Sequence, residues 1–162
     1  MKRVLIAALT AALLGAQTTA QSSRQTIQGV WRIVEANVSG PAPRTIAFGD
    51  RPNLTIITAS HYSRVEIQAD KPRASLADVS KATADELRAV WGPVVAEAGT
   101  YEVSGNEIKM QPLASKNPAV MGPGVFITYA FKLEGSNLTL TQVRNQNGAY
   151  PNPFSLKLVR VE

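Results

Sequence analysis

From Gly29 onward, short runs of alternating apolar and polar residues follow one another, each bounded by Gly, Pro, Asn or Ser. A period of two is the signature of strands with one face buried. The pattern predicts eight of them, over 30–38, 54–58, 62–68, 100–103, 108–111, 125–133, 138–143 and 154–161. Ser104-Gly105-Asn106 and Glu134-Gly135-Ser136-Asn137 read as hairpin turns, because Gly and Asn accept the positive φ that tight turns require. Only one segment carries a helical signal, and it lies between the third and fourth predicted strands. There Thr83-Ala84-Asp85-Glu86 forms a capping box, and Leu87, Val90, Trp91 and Val94 keep helical spacing. Gly92-Pro93 should kink or end the helix. Such a helix serves either as a lid over a barrel mouth or as an element packed outside the barrel or plugging its end.

Eight sequential antiparallel strands predict an all-β domain, a single up-and-down barrel whose closure removes unpaired edges. A two-sheet sandwich uses the same alternation and is the alternative. Gly29-Val30-Trp31-Arg32 opens the first strand. Trp31 is large enough to plug one end, Gly29 lets the chain turn in beneath it, and Arg32 is the expected cation over the ring.

Residues 1–20 stand apart from this pattern. Met1-Lys2-Arg3 is a positive head, an apolar run follows, and Thr18-Thr19-Ala20 supplies small residues at a cleavage site, which together predict a removable signal peptide. The apolar run is shorter than the roughly 20 residues that span a bilayer. The expected organisation is therefore a signal peptide over 1–20, a flexible segment over 21–28 and a barrel over 29–162, periplasmic or secreted, with no stable membrane anchor after cleavage. The chain has no cysteine, so neither a lipid-anchor cysteine nor a disulfide is possible, and the apolar core alone must hold the fold. The formal charge is +5. Lys2 and Arg3 lie in the leader, which leaves fifteen cations against twelve carboxylates, a net of +3. These cations are scattered without a dense run, which argues against a nucleic-acid partner.

Several segments together carry a family likeness: Gly29-Val30-Trp31-Arg32-Ile33-Val34, Leu54-Thr55-Ile56-Ile57 with His61-Tyr62-Ser63, Ala98-Gly99-Thr100-Tyr101-Glu102-Val103, and the stretch from Tyr129 to Leu140. In these the chain resembles the bacterial lipocalin-like domain family. The resemblance implies a calycin-type barrel with a cavity for a small apolar molecule.

Candidate chemistry is sparse. His61 is the single histidine, so two-histidine metal motifs are excluded, as are cysteine nucleophiles, and no Gly-x-Ser-x-Gly elbow exists. Asp85 and Glu86 already serve the helix cap. No catalytic residue, metal site or cofactor is therefore assigned. Strand parity nominates a ligand-binding set of Tyr62, Arg64, Tyr101, Met110, Phe126 and Tyr129, beside the structural Gly29, Trp31 and Arg32. Tyr62, Arg64 and Glu66 form a polar row opposite Val65 and Ile67. Either this row orients a ligand's polar head inside the barrel, or it faces water while Val65 and Ile67 fill the core. The expected function is non-covalent binding of a small hydrophobic or amphipathic ligand. The alternatives are a cofactor-free isomerase or cyclase and a filled-barrel interaction module.

Overall fold

The computed structural model describes residues 27–162. The signal peptide expected over 1–20, and all of 21–28 except Ile27 and Gln28, lie outside the described residues. The elements are β1 (Gly29–Val38), β2 (Arg44–Ala47), β3 (Asn53–Ile57), β4 (His61–Ile67), α1 (Ala84–Trp91), β5 (Val94–Ser104), β6 (Glu107–Ser115), β7 (Ile127–Glu134), β8 (Asn137–Asn145), β9 (Gly148–Ala149) and β10 (Phe154–Arg160). Strands β1, β3, β4, β5, β6, β7, β8 and β10 pair antiparallel in sequence order, and β10 returns to β1 to close the ring. The result is a closed eight-stranded antiparallel barrel. All eight predicted strands are present. The helix stands where the sequence placed it, between β4 and β5 in the full count, because β2 adds one strand ahead of it.

Up-and-down winding puts the tight hairpins after β3, β5 and β7 at the same end as Ile27 and Glu162. The longer connections gather at the opposite end. Trp31 seals the hairpin end and is wholly buried. Its indole Nε1 donates to the Ile27 carbonyl at 2.9 Å, and Ile27, which the sequence reading placed in the segment ahead of the barrel, is itself buried. The cation over the ring is Arg160, with its guanidinium carbon 4.2 Å from the centroid. Arg32 is exposed. The expectation for Arg32 fails on strand parity: the residue after an inward tryptophan points outward, whereas β10 lies alongside β1 and pairs Arg160 with Trp31. Arg160 Nη1 also donates to the Gln28 carbonyl at 2.5 Å. Gly29 has φ +140°, and a Cβ built there would overlap the Arg160 guanidinium and the Glu162 carbonyl. Only glycine lets the three groups meet.

The second wall of the barrel is broken. β1 pairs through Gly29–Trp31 with β3 and through Glu35–Val38 with β2, and 48–52 bulges out between them. Asn53 patches the gap with its side chain. Its Oδ1 accepts from the Ile33 amide at 2.6 Å and its Nδ2 donates to the Ile33 carbonyl at 3.1 Å, which replaces the missing strand bonds. A second irregularity joins β5 to β6. Gly99 pairs with Pro112 at a register shift, and a Cβ on Gly99 would overlap the Gln111 carbonyl. The bulge is what admits a proline within a strand.

Three substitutions separate the plug from its surroundings. Trp31→Ala is expected to cost about 3–5 kcal/mol in chemical denaturation, since it empties a fully buried site. Arg160→Ala should cost about 1–2 kcal/mol through the lost ring contact and carbonyl bond. Arg32→Ala should stay within about 0.5 kcal/mol, as exposed positions do.

Candidate functional site

Inside the barrel the side chains divide by level. Near the plug they are aliphatic, with Ile33, Ile57, Val103, Ile108, Leu138 and Leu158 all buried. Higher up, a cross-strand row runs from Thr55 on β3 through Arg64 on β4 to Glu97 on β5. Along β4 itself Tyr62, Arg64 and Glu66 all turn inward, while Ser63 and Val65 are exposed. The polar row therefore occupies the interior. Thr55, Tyr62, Arg64, Glu97, Met110 and Tyr129 line one chamber, with leucines of β8 and β10 on its far side.

Arg64 Nη2 lies 3.3 Å from Glu97 Oε1, and both side chains are largely buried. Burial opposes the arginine's charge, but Tyr129, Glu97, Glu66 and Tyr62 around it outweigh that and hold its pKa above the ordinary arginine value. Burial pushes the Tyr62 hydroxyl well above the usual tyrosine range. The Glu97 charge pushes it in the same direction and Arg64 pulls it back. Burial raises Tyr129 as well. The Tyr62 hydroxyl is near enough to Glu97 to feel its charge yet makes no hydrogen bond of good geometry. Thr55 Oγ1, Arg64 Nε and Glu66 Oε2 are likewise buried without a hydrogen-bond partner among the described residues. The enclosed space measures about 10 Å³. That is room for one water molecule. No organic ligand fits without displacing side chains.

A larger space opens on the barrel's flank, where the broken wall leaves β2 and β4 unjoined. This open cleft of about 890 Å³ is walled by the 48–52 bulge, by the segment 69–76 that follows β4, and by the C-terminal end of α1. Phe48 forms its base and is at the same time a buried member of the core. Arg51 ties the bulge to the facing segment through an ion pair with Asp70 and lies 5.7 Å over the Phe48 ring. α1 is held by its capping box: Thr83 Oγ1 accepts from the Glu86 amide, and Glu86 Oε2 accepts from the Thr83 amide at 2.8 Å. Lys116 Nζ donates to the carbonyls of Trp91, Gly92 and Val94 and anchors the helix end to the barrel. No residue of α1 is buried, so the helix neither plugs the barrel nor builds the core. It stands outside, with Val90 and Trp91 lining the cleft, and Trp91 is 53% exposed.

The cleft lining carries Arg51, Lys71 and Arg73 against Asp50 and Asp70. Among the described residues Lys71 and Arg73 have no carboxylate partner. Arg73 Nη1 donates to the Val90 carbonyl at 3.0 Å, which sets its guanidinium at the rim of the cleft.

Of the six nominated residues, Tyr62, Arg64, Met110 and Tyr129 meet in the chamber. Tyr101 is buried, and its hydroxyl donates to the Thr58 carbonyl at 2.6 Å as a tie across the hairpin end. Phe126 lies apart from the chamber. It precedes β7, is half-buried, and has Lys109 Nζ 4.7 Å over its ring. Its parity fails because β7 turns Ile127, Tyr129, Phe131 and Leu133 toward the core. Glu97 and the whole cleft escaped the sequence reading. Glu97 sits in a segment without clean alternation, and the cleft joins pieces some forty residues apart.

The closed eight-stranded antiparallel barrel is consistent with a calycin-like fold. The chain matches no protein-family model and none of the curated proteins.

Two measurements probe the chamber. Because the folded-state tyrosine values lie above those of the unfolded chain, the unfolded chain loses those protons first as pH rises. Stability is therefore full below about pH 10 and falls above it, by up to about 1.4 kcal/mol per pH unit for each tyrosine. Tyr62→Phe should flatten this fall in urea titrations at pH 9–11 and leave neutral-pH stability unchanged or higher, since it deletes an unpartnered hydroxyl. Arg64→Met should cost about 3 kcal/mol by stranding Glu97, and Glu97→Gln in the same chain should restore most of it.

Proposed function

We propose that the protein is an exported, lipocalin-like binding barrel and that its ligand, a small amphipathic molecule bearing an anionic group, occupies the flank cleft rather than the barrel axis. One contrast carries this reading: the interior offers about 10 Å³ and the cleft about 890 Å³. Ligand sites are typically clefts of about 300–1,000 Å³ with a mainly apolar lining and a few placed polar groups. Phe48, Ile67, Leu76 and Val90 offer the apolar surface, Trp91 offers an exposed ring, and Lys71 with Arg73 favours an anion. Export is supported by the positive head, apolar run and small-residue site of residues 1–20. The polar chamber serves the barrel as a charged, closed core and takes no direct part in binding. A filled interior also favours the second reading, a barrel that acts as an interaction module.

Fluorescence with 1-anilinonaphthalene-8-sulfonate, an amphipathic anion, tests the site. Saturable one-site enhancement is expected, with energy transfer from Trp91. Trp91→Ala and the pair Lys71→Glu, Arg73→Glu should each weaken it about fivefold or more, on the order of 1 kcal/mol. Near-UV circular dichroism should stay unchanged, to exclude binding by a loosened fold. Enhancement that ignores these variants, or that follows Met110→Ala instead, contradicts the placement.

A further inference from the structure

The break in the second wall leaves an edge. Phe48 donates its amide to the Val34 carbonyl at 2.9 Å, and Ile46 and Arg44, of the same parity, lie opposite Ala36 and Val38. In an antiparallel ladder those residues turn their amides and carbonyls toward β1, and the intervening ones turn theirs away. The main-chain groups of Thr45 and Ala47 therefore point off the far side of β2, where no strand of the described residues pairs. Ala47 lines the cleft, and the cleft lies where a neighbouring strand would run. Each of the eight ring strands has a strand partner on both sides, β6 meeting β7 only over Glu107–Met110. The free edge enters the cleft at Ala47 and continues past Thr45 beyond it, so that the unpaired amide and carbonyl of Ala47 meet an apolar floor at Phe48 and Ile67 and the cations Lys71 and Arg73.

From this geometry we infer that the cleft, beside a small amphipathic anion, also takes a peptidic ligand: an extended, acidic segment of another protein that adds to the free edge of β2 as an antiparallel strand. The inference rests on the cleft as the binding site and names a second class of ligand for it. Main-chain bonds to Thr45 and Ala47 hold the added strand in register. One face of the strand sets alternate apolar side chains on Phe48 and Ile67, and its carboxylates meet Lys71 and Arg73. A free amphipathic anion can use the same floor and cations. It has no use for the row of amides and carbonyls. That row is short, because β2 has four residues and begins after Pro41 and Pro43, so the edge takes a brief segment and does not template indefinite self-pairing.

The test is displacement of anilinonaphthalene sulfonate from the full barrel by the peptide acetyl-Asp-Val-Glu-Val-Asp-amide. Two N-methylated forms serve as probes, one methylated at both valines and one at the flanking residues. The unmethylated peptide should compete. One methylated form should lose competition by about tenfold or more, the loss expected for one or two main-chain hydrogen bonds, while the form of opposite parity competes as before. Thr45→Pro removes the outward amide together with the hydroxyl that donates to Asn37 Oδ1, so it should weaken the peptide by a similar factor relative to Thr45→Ala, which removes the hydroxyl alone, and neither should change binding of the dye. No competition, or equal competition by both methylated forms, overturns the peptide inference and leaves the cleft reading standing. Dye binding that is insensitive to Trp91→Ala overturns both.

Discussion

Closure of the barrel around Trp31 is the constraint on which the rest of the structure depends. A ring of eight antiparallel strands leaves no gap in its ladders only if the last strand returns to the first, and here the return is made at the plug. Arg160 of β10 lies over the indole, its Nη1 reaches the Gln28 carbonyl, and the Val161 amide donates to the Val30 carbonyl at 2.7 Å. Gly29 matters for what it lacks: any side chain there would separate β1 from the arginine that seals the seam. The aliphatic layer above the plug then packs in fixed register, and burial of that layer, with no disulfide to assist, supplies the stability.

A sealed lower half sets the character of the upper half. Strand parity, once fixed at Trp31, Ile33 and Ile57, forces Thr55, Tyr62, Arg64 and Glu66 inward, because a slip by one residue would expose the core. The polar chamber follows from this register. Arg64 keeps its charge opposite Glu97 there, and nearly all the remaining space is filled. The same parity sends Val65 outward, where it is 47% exposed. Binding capacity is consequently displaced to the flank, where the 48–52 bulge parts β2 from β3. Asn53 lets the wall tolerate this break, and the cleft is its consequence.

Much of this could be read from local signals. Trp31 with Gly29, the hairpin turns at Gly105 and Gly135, and the Thr83 capping box depend on neighbours within a few residues, and each stands where its chemistry put it. Tyr62, Arg64, Met110 and Tyr129 could be grouped because each falls on the inward parity of its own strand. The misses share a different cause. Arg160 lies more than a hundred residues from the ring it covers, so nothing near Trp31 announces it. Arg44-Thr45-Ile46-Ala47 has no alternation and sits after two prolines, so β2 has no strand signature of its own and forms because β1 supplies a partner. Strand parity groups Phe126 with the face of Thr128 and Ala130, whereas β7 turns the opposite set, Ile127, Tyr129, Phe131 and Leu133, toward the core. The cleft has no sequence signature, since the bulge, the segment after β4 and α1 meet only once the barrel is closed.

The central claim, a filled axis with binding on the flank, is most directly tested by intermolecular nuclear Overhauser effects between the protein and bound dodecanoate. The account predicts contacts from the alkyl chain to the Phe48 ring, the Val90 methyls and the Trp91 indole, and none to the Met110 methyl or to the Leu140 and Leu156 methyls. Contacts to Met110 and the interior leucines, with none at Trp91, would show that the ligand enters the barrel and would contradict it.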